Sequence, residues 1–233
     1  MTVLCHILAM KQPNILFIQA DQLSAEALGV DGHPFAKTPH IDRLAREGVM
    51  FKNAYCPFPL CGPSRFAMMT GRLASRIGAY DNAAELPASV PTVAHYLRAR
   101  GYATTLIGKM HFVGPDQLHG YEERLTSDIY PSDFYWTDHN KKQTKETASD
   151  SRGVLKSGIC ERSVQLDYDE QSMFRAQQKL YDIARGSDER PFFLTVSLIH
   201  PHDPFYCTRD YWDRYDGVDI GLPTVGRIPL ESV

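Results

Sequence analysis

The sequence predicts an α/β fold, a mostly parallel sheet flanked by helices, from three observations. Short apolar runs rich in β-formers recur at Asn14-Ile-Leu-Phe-Ile-Gln19, Ala103-Thr-Thr-Leu-Ile107 and Phe192-Phe-Leu-Thr-Val-Ser-Leu198. Helical patterns with readable ends lie between them. Each run leads into a cluster of polar residues. Apolar runs this short suit parallel strands shielded on both faces, and strands alternating with helices imply a mostly parallel sheet.

The first helix is expected to follow Thr38 as its cap, with Pro39 at the first position and Gly48 as the stop. Its inward face would carry Ile41, Leu44 and Ala45. The stretch from Thr92 to Arg100 repeats the pattern, with Val93, Tyr96 and Leu97 inward and Gly101 as terminator. Asp169 to Arg185 reads as a longer helix, carrying Met173, Leu180 and Ile183 at helical spacing and ending at Gly186. Residues 140–161 are polar and aperiodic, and are expected to form a surface excursion. The fold is expected to occupy 12–233, after an N-terminal extension at 1–11.

The 233 residues are 43% hydrophobic and 23% charged, which is ordinary globular usage. A formal charge of −3 provides no global basic field to attract nucleic acid or anionic lipid. The apolar start MTVLCHILAM is too short to span a bilayer and lacks a basic leader. Five scattered cysteines do not form a disulfide framework. A soluble, cytoplasmic protein is the expectation, with no membrane or nucleic-acid partner.

The polar clusters are Asp21-Gln22 after the first run, Gly108-Lys109-Met110-His111 after the second, and His200-Pro201-His202-Asp203-Pro204 after the third. Ligands of open parallel sheets bind beyond the carboxyl ends of the strands, so these groups should face one crevice. Taken singly, an Asp after a strand is as readily a turn residue. The strongest local signal is Cys61-Gly-Pro-Ser-Arg65, continuing to Thr70-Gly71-Arg72. Pro63 suits a first helical turn and Gly71 a stop, so Cys61 would open a helix whose amides and dipole favour negative charge. Arg65 adds a cation one turn on. A reactive Cys61 competes with a buried structural one. A cysteine-phosphatase loop would need arginine at position 67, which is Ala, and a zinc site using Cys56 and Cys61 lacks a second ligand pair.

Cys-Gly-Pro-Ser-Arg followed by Met-Thr-Gly-Arg resembles the signature of the sulfatase family, a branch of the alkaline-phosphatase-like superfamily. Gly-Lys-Met-His at 108–111, Pro201-His202 and the opening Asn-Ile-Leu-Phe-Ile-Gln-Ala-Asp-Gln resemble further family segments. YDNAAE, GKMHFVGPDQLHGYEERLTSDIYPSDFYW and HPHDPF are similar to the choline-sulfatase branch. The resemblance covers Pro13 to Leu230 and implies a sulfatase-like fold cut short before its C-terminal part.

It also implies a chemistry. Cys61 would be oxidised by a sulfatase-maturating enzyme to formylglycine, whose hydrate attacks the sulfur of a small sulfate ester, such as choline sulfate, and regenerates itself. Arg65 and Lys109 would neutralise charge on the transferred group. His111 would be the base for the second hydroxyl, and His202 would bind sulfate or protonate the leaving oxygen. Asp21, Gln22 and the Cys61 product would hold a divalent cation, calcium before magnesium or manganese. Gln22 departs from relatives with two adjacent acids and would ligate through its carbonyl. Asn82 would contact sulfate or choline. Trp136 would offer its ring to the quaternary ammonium, against a core role as its alternative. His200 is expected to be structural; His119 and Asp203 carry no role. The family's second acidic pair and a further lysine have no counterpart, so the isolated chain is expected to release little sulfate and its open sheet edge to favour homo-oligomers. A phosphonate or phosphate monoester hydrolase and an inactive fragment are the alternatives.

Overall fold

The computed structural model describes residues 12–129 and 155–221. Strands β1 (Ile15–Ala20), β2 (Ala103–Gly108), β3 (Glu123–Arg124) and β5 (Phe192–Leu198) form one sheet in the order β1-β5-β2-β3, with every pairing parallel. The two-residue strands β4 (Gly158–Ile159) and β6 (Tyr206–Cys207) pair separately, also in parallel. β4 falls inside the expected excursion, so the last part of that segment is ordered backbone; residues 140–154 of it, like 1–11 and Trp136, lie outside the described residues.

Alternation along the strands sends side chains to two cores. On one face Ile15, Phe17, Leu106 and Phe193 pack with Phe66 and Met69 of α2 (Cys61–Thr70), Ala94 of α4 (Val93–Ala99), Leu86 and Tyr121. On the other, Ile107, Leu194 and Val196 pack with Ala176 and Leu180 of α5 (Val164–Arg185). Short helices α3 (Ala74–Ile77) and α6 (Arg209–Trp212) complete the periphery with α1 (Pro39–Glu47).

Several sequence expectations are corrected. β1 is shielded on one face only: Leu16 and Ile18 are 46% and 59% exposed. They share the face of Leu194 and Val196 by register, but α5 covers β2 and β5 and stops short of the edge strand. α1 forms where its cap, proline and glycine place it, yet Ile41 and Leu44 are exposed. The Thr38 hydroxyl does not cap the helix; it takes the Gly29 N–H and donates to Asp42. In α4 the inward residues are Ala94 and Leu97, while Val93 and Tyr96 face outward, because small Ala94 lets the helix approach β2 closely. α5 starts five residues earlier than expected, capped by the Ser163 hydroxyl, which accepts the Leu166 N–H. Its buried stripe is Tyr168, Ser172 and Ala176, spaced by four, so Met173 is turned outward.

One glycine is demanded by the strand ends. Gly108 has φ of 93°, and a side chain there would overlap the Ser197 carbonyl on β5. The sheet closes on that point, and Lys109, Met110 and His111 beyond it help to build the site.

Candidate active site

The three long strands, β1, β5 and β2, end level with one another. Ala20 pairs with Leu198 and Gly108 with Ser197, and the next residues continue the ladder: the Asp21 N–H donates to the Leu198 carbonyl at 3.1 Å and the Lys109 N–H to the Ser197 carbonyl at 3.0 Å. Asp21 and Lys109 therefore flank the end of β5 from either side. Strands two apart are separated by about 10 Å, a gap that the long Lys109 side chain closes to form an ion pair with Asp21.

Arg65, one turn into α2, stitches the helix to all three strands. Its guanidinium donates to Asp21 Oδ2 at 3.0 Å, the Lys109 carbonyl at 2.6 Å, Ser197 Oγ at 2.9 Å and Gln19 Oε1 at 3.2 Å. Only 2% of Arg65 is exposed. Burial alone would raise the Asp21 carboxyl, but the Arg65 and Lys109 cations outweigh it and hold the group below the usual carboxylate range. Two buried cations thus meet one buried carboxylate.

Cys61 opens α2, with extended Leu60 as the residue before it and left-handed Gly71 closing the helix. Its sulfur lies 3.7 Å from Lys109 Nζ and 3.8 Å from Asp21 Oδ1. Asn82 holds the same helix start, its Oδ1 accepting the Gly62 N–H at 2.9 Å, while its carbonyl lies 2.9 Å from His111 Nε2. A carbonyl only accepts, so Nε2 carries the proton and the lone pair sits on Nδ1 of the neutral ring. Burial, then the Lys109 charge, lowers the His111 pKa below the ordinary histidine value. His202 differs: a hydrogen bond with the Cys61 side chain is the main cause raising its pKa, against desolvation.

Ligand atoms of Asp21, Cys61 and His202 all lie within 4.8 Å of one another. One hard oxygen, one sulfur and one imidazole make part of a shell for a divalent ion, and oxidation of Cys61 would exchange soft sulfur for the oxygen that calcium or magnesium prefers. Gln22 is exposed, at φ of 61°. The sequence picked out Asp21, Cys61, Arg65, Asn82, Lys109, His111 and His202, and all seven converge here; Trp136 lies outside the described residues. His200 is anchored to Asp169, with Nδ1 2.7 Å from Oδ2, as suits a structural residue. His119 packs on Phe112 away from this cluster.

Sequence reasoning missed Asp128. Its Oδ2 accepts the Met110 N–H at 3.0 Å and the His111 N–H at 2.6 Å, and Arg124 pairs with it. The signal was available: Thr126-Ser-Asp128 follows β3, a fourth polar cluster at a strand's carboxyl end.

With the geometry in place, a model of the Sulfatase family matches residues 13–224 of the chain. The chain belongs to the sulfatase family. It is 46% identical over 227 residues to the choline-sulfatase of Rhizobium meliloti (strain 1021), covering 95% of this chain and 44% of that protein. It is 28% identical over 235 residues to an arylsulfatase of Clostridium perfringens, covering 92% and 48%. The sulfatase fold is also shared with the phosphonate monoester hydrolase of Silicibacter pomeroyi, at a TM-score of 0.65 and 24% identity, over 94% of this chain and 47% of that one. This sulfatase chain thus spans less than half the length of these relatives.

Proposed function

We propose that this chain carries the nucleophile half of a sulfuric ester hydrolase acting on choline sulfate or a similarly small sulfate ester. The observation that carries the reading is the meeting of Cys61, at the amino end of α2, with Asp21, Lys109 and His202. The 46% identity to a choline-sulfatase supports the substrate.

In this reading Cys61 is converted by a maturating enzyme to the aldehyde, formylglycine, and its hydrate is the nucleophile. A divalent cation, calcium before magnesium or manganese, would be held by Asp21, the oxidised Cys61 and Gln22, and would lend Lewis acidity toward the sulfate oxygens. Lys109 and Arg65 offset the charge on the transferred group. His202, beside Cys61, is placed to pass a proton to the departing alcohol oxygen. His111, neutral at pH 7, accepts the proton of the second hydroxyl, after which sulfate leaves and the aldehyde returns. Asn82 fixes both the helix start and the His111 ring. Trp136 is the proposed face for the choline ammonium. The reaction is placed in the cytoplasm.

The test is sulfate release from choline sulfate, with a phosphonate and a phosphate monoester assayed in parallel, joined to intact mass of the Cys61 peptide. Conversion replaces hydrogen sulfide by one oxygen atom in that peptide. Cys61→Ala is expected to lower turnover by at least about a thousandfold. Faster hydrolysis of the phosphonate ester than of the sulfate would overturn the assignment.

A further inference from the structure

The first two turns of α5 touch the His202 loop and the turn after β3 that supports the His111 loop. Gln165 Nε2 donates to the Asp203 carbonyl at 2.8 Å. Tyr168 donates its hydroxyl to the Ser127 carbonyl at 2.7 Å, in the turn whose next residue is Asp128. Asp169 accepts the Ile199 N–H at 2.7 Å, the His200 N–H at 3.0 Å, and faces His200 Nδ1. Residues three and four apart share a helix face, so Gln165, Tyr168 and Asp169 form one contiguous patch.

We infer that Gln165, Tyr168 and Asp169 are positioning residues that set the separation of the His111 and His202 rings, an inference that rests on the sulfatase reading above. Both rings sit on irregular backbone just beyond strand ends. His111 adopts φ of 63°, which an L residue rarely keeps unless its surroundings impose it. Asp128 imposes it by accepting two successive N–H groups, and Asp169 does the same for the loop that leads to His202. A carboxylate that takes two neighbouring amides fixes the direction of a loop as well as its place. Through Tyr168 and Asp169, adjacent in sequence, one rigid helix carries both fixtures. The acid and base of the reaction are thereby referred to a common frame on the face of the sheet opposite α2.

The leaving group separates positioning from plain support. A nitrophenolate departs without protonation, whereas choline needs a proton on its oxygen. Asp169→Asn is expected to lower kcat/KM on choline sulfate by about 10- to 100-fold and on nitrophenyl sulfate by less than about threefold. Tyr168→Phe should lower kcat on both esters alike, because His111 acts after the alcohol has gone. Hydrogen exchange in the 233-residue chain supplies an arm independent of turnover: Asp169→Asn should speed exchange at the Ile199 and His200 amides by about tenfold or more while β2 keeps its protection. If that variant fails to fold, Gln165→Ala, which removes one bond to the loop, should show the same leaving-group dependence in milder form. Equal losses on both esters with Asp169→Asn, or unchanged exchange at 199–200, overturns the inference. Should the parent chain hydrolyse neither ester, conversion of Cys61 in the intact mass judges the sulfatase reading and the exchange arm alone decides the coupling.

Discussion

Asp21 is small, yet it gathers Lys109, Arg65 and Cys61 about itself at the end of β1. Its carboxyl and that of Asp128 are both depressed below 3.8, in each case because cations and donated hydrogen bonds outweigh the burial that would raise them. A depressed folded-state value means stabilisation that is fully present above the unfolded carboxylate value and is lost as pH falls through the folded one. These two carboxylates by themselves give a plateau in the thermal unfolding midpoint above about pH 5 and a drop below about pH 4, onto which His111, lowered in the folded state, adds a decline as pH falls through its unfolded value. Asp128→Asn should lower the plateau and flatten the drop, as followed by circular dichroism. At this scale the sequence was informative about reactive groups, since aspartate, lysine and histidine follow apolar runs and Cys61 opens a helix marked by Pro63 and Gly71. Asp128 carried the same signal after β3, but Asp169 did not: its work is to accept backbone amides, a task that many surface aspartates share in sequence but not in place.

The elements owe their positions to ends more than to middles. α2 begins at Cys61 and stops at left-handed Gly71, as Pro63 and Gly71 imply. β2 ends where Gly108 turns with a positive φ against Ser197. Gly108→Ala should cost more than about 3 kcal/mol, since it adds left-handed strain to a backbone overlap that only movement of β5 can relieve; chemical denaturation checks it, with Gly32→Ala, in open space, as the comparison. Faces were read less well than ends. α1, α4 and α5 all occur and Leu97 and Leu180 pack inward as read, yet Ile41, Leu44, Val93, Tyr96 and Met173 face outward. Ala94, Ser172 and Ala176 win because close approach of a helix to a sheet selects small residues at the contact.

Across the whole molecule, β1 is the exposed edge of the main sheet among the described residues. Leu16 and Ile18 stand open on the face that α5 does not reach, and Ile41, Leu44, Val49 and Phe51 are exposed as well. Apolar edges of this kind recruit further strands. The chain is expected to self-associate at micromolar concentration, and Ile18→Lys to shift it toward monomer without unfolding it, as sedimentation would report. No helix among the described residues is long and apolar enough to cross a membrane.

Local chemistry was written into the chain: where strands and helices start and stop, which residue opens α2, and which reactive groups come after each strand. These features arise from dihedral preferences and hydrogen-bonding needs that act over a few residues. Which faces are covered, that Arg65 is a stitch between three strands, and that α5 ties the His111 turn to the His202 loop emerged only once the strands were ordered β1-β5-β2-β3. That order joins residues over 170 positions apart, such as Ile15 and Phe193, and no short-range preference encodes such a pairing.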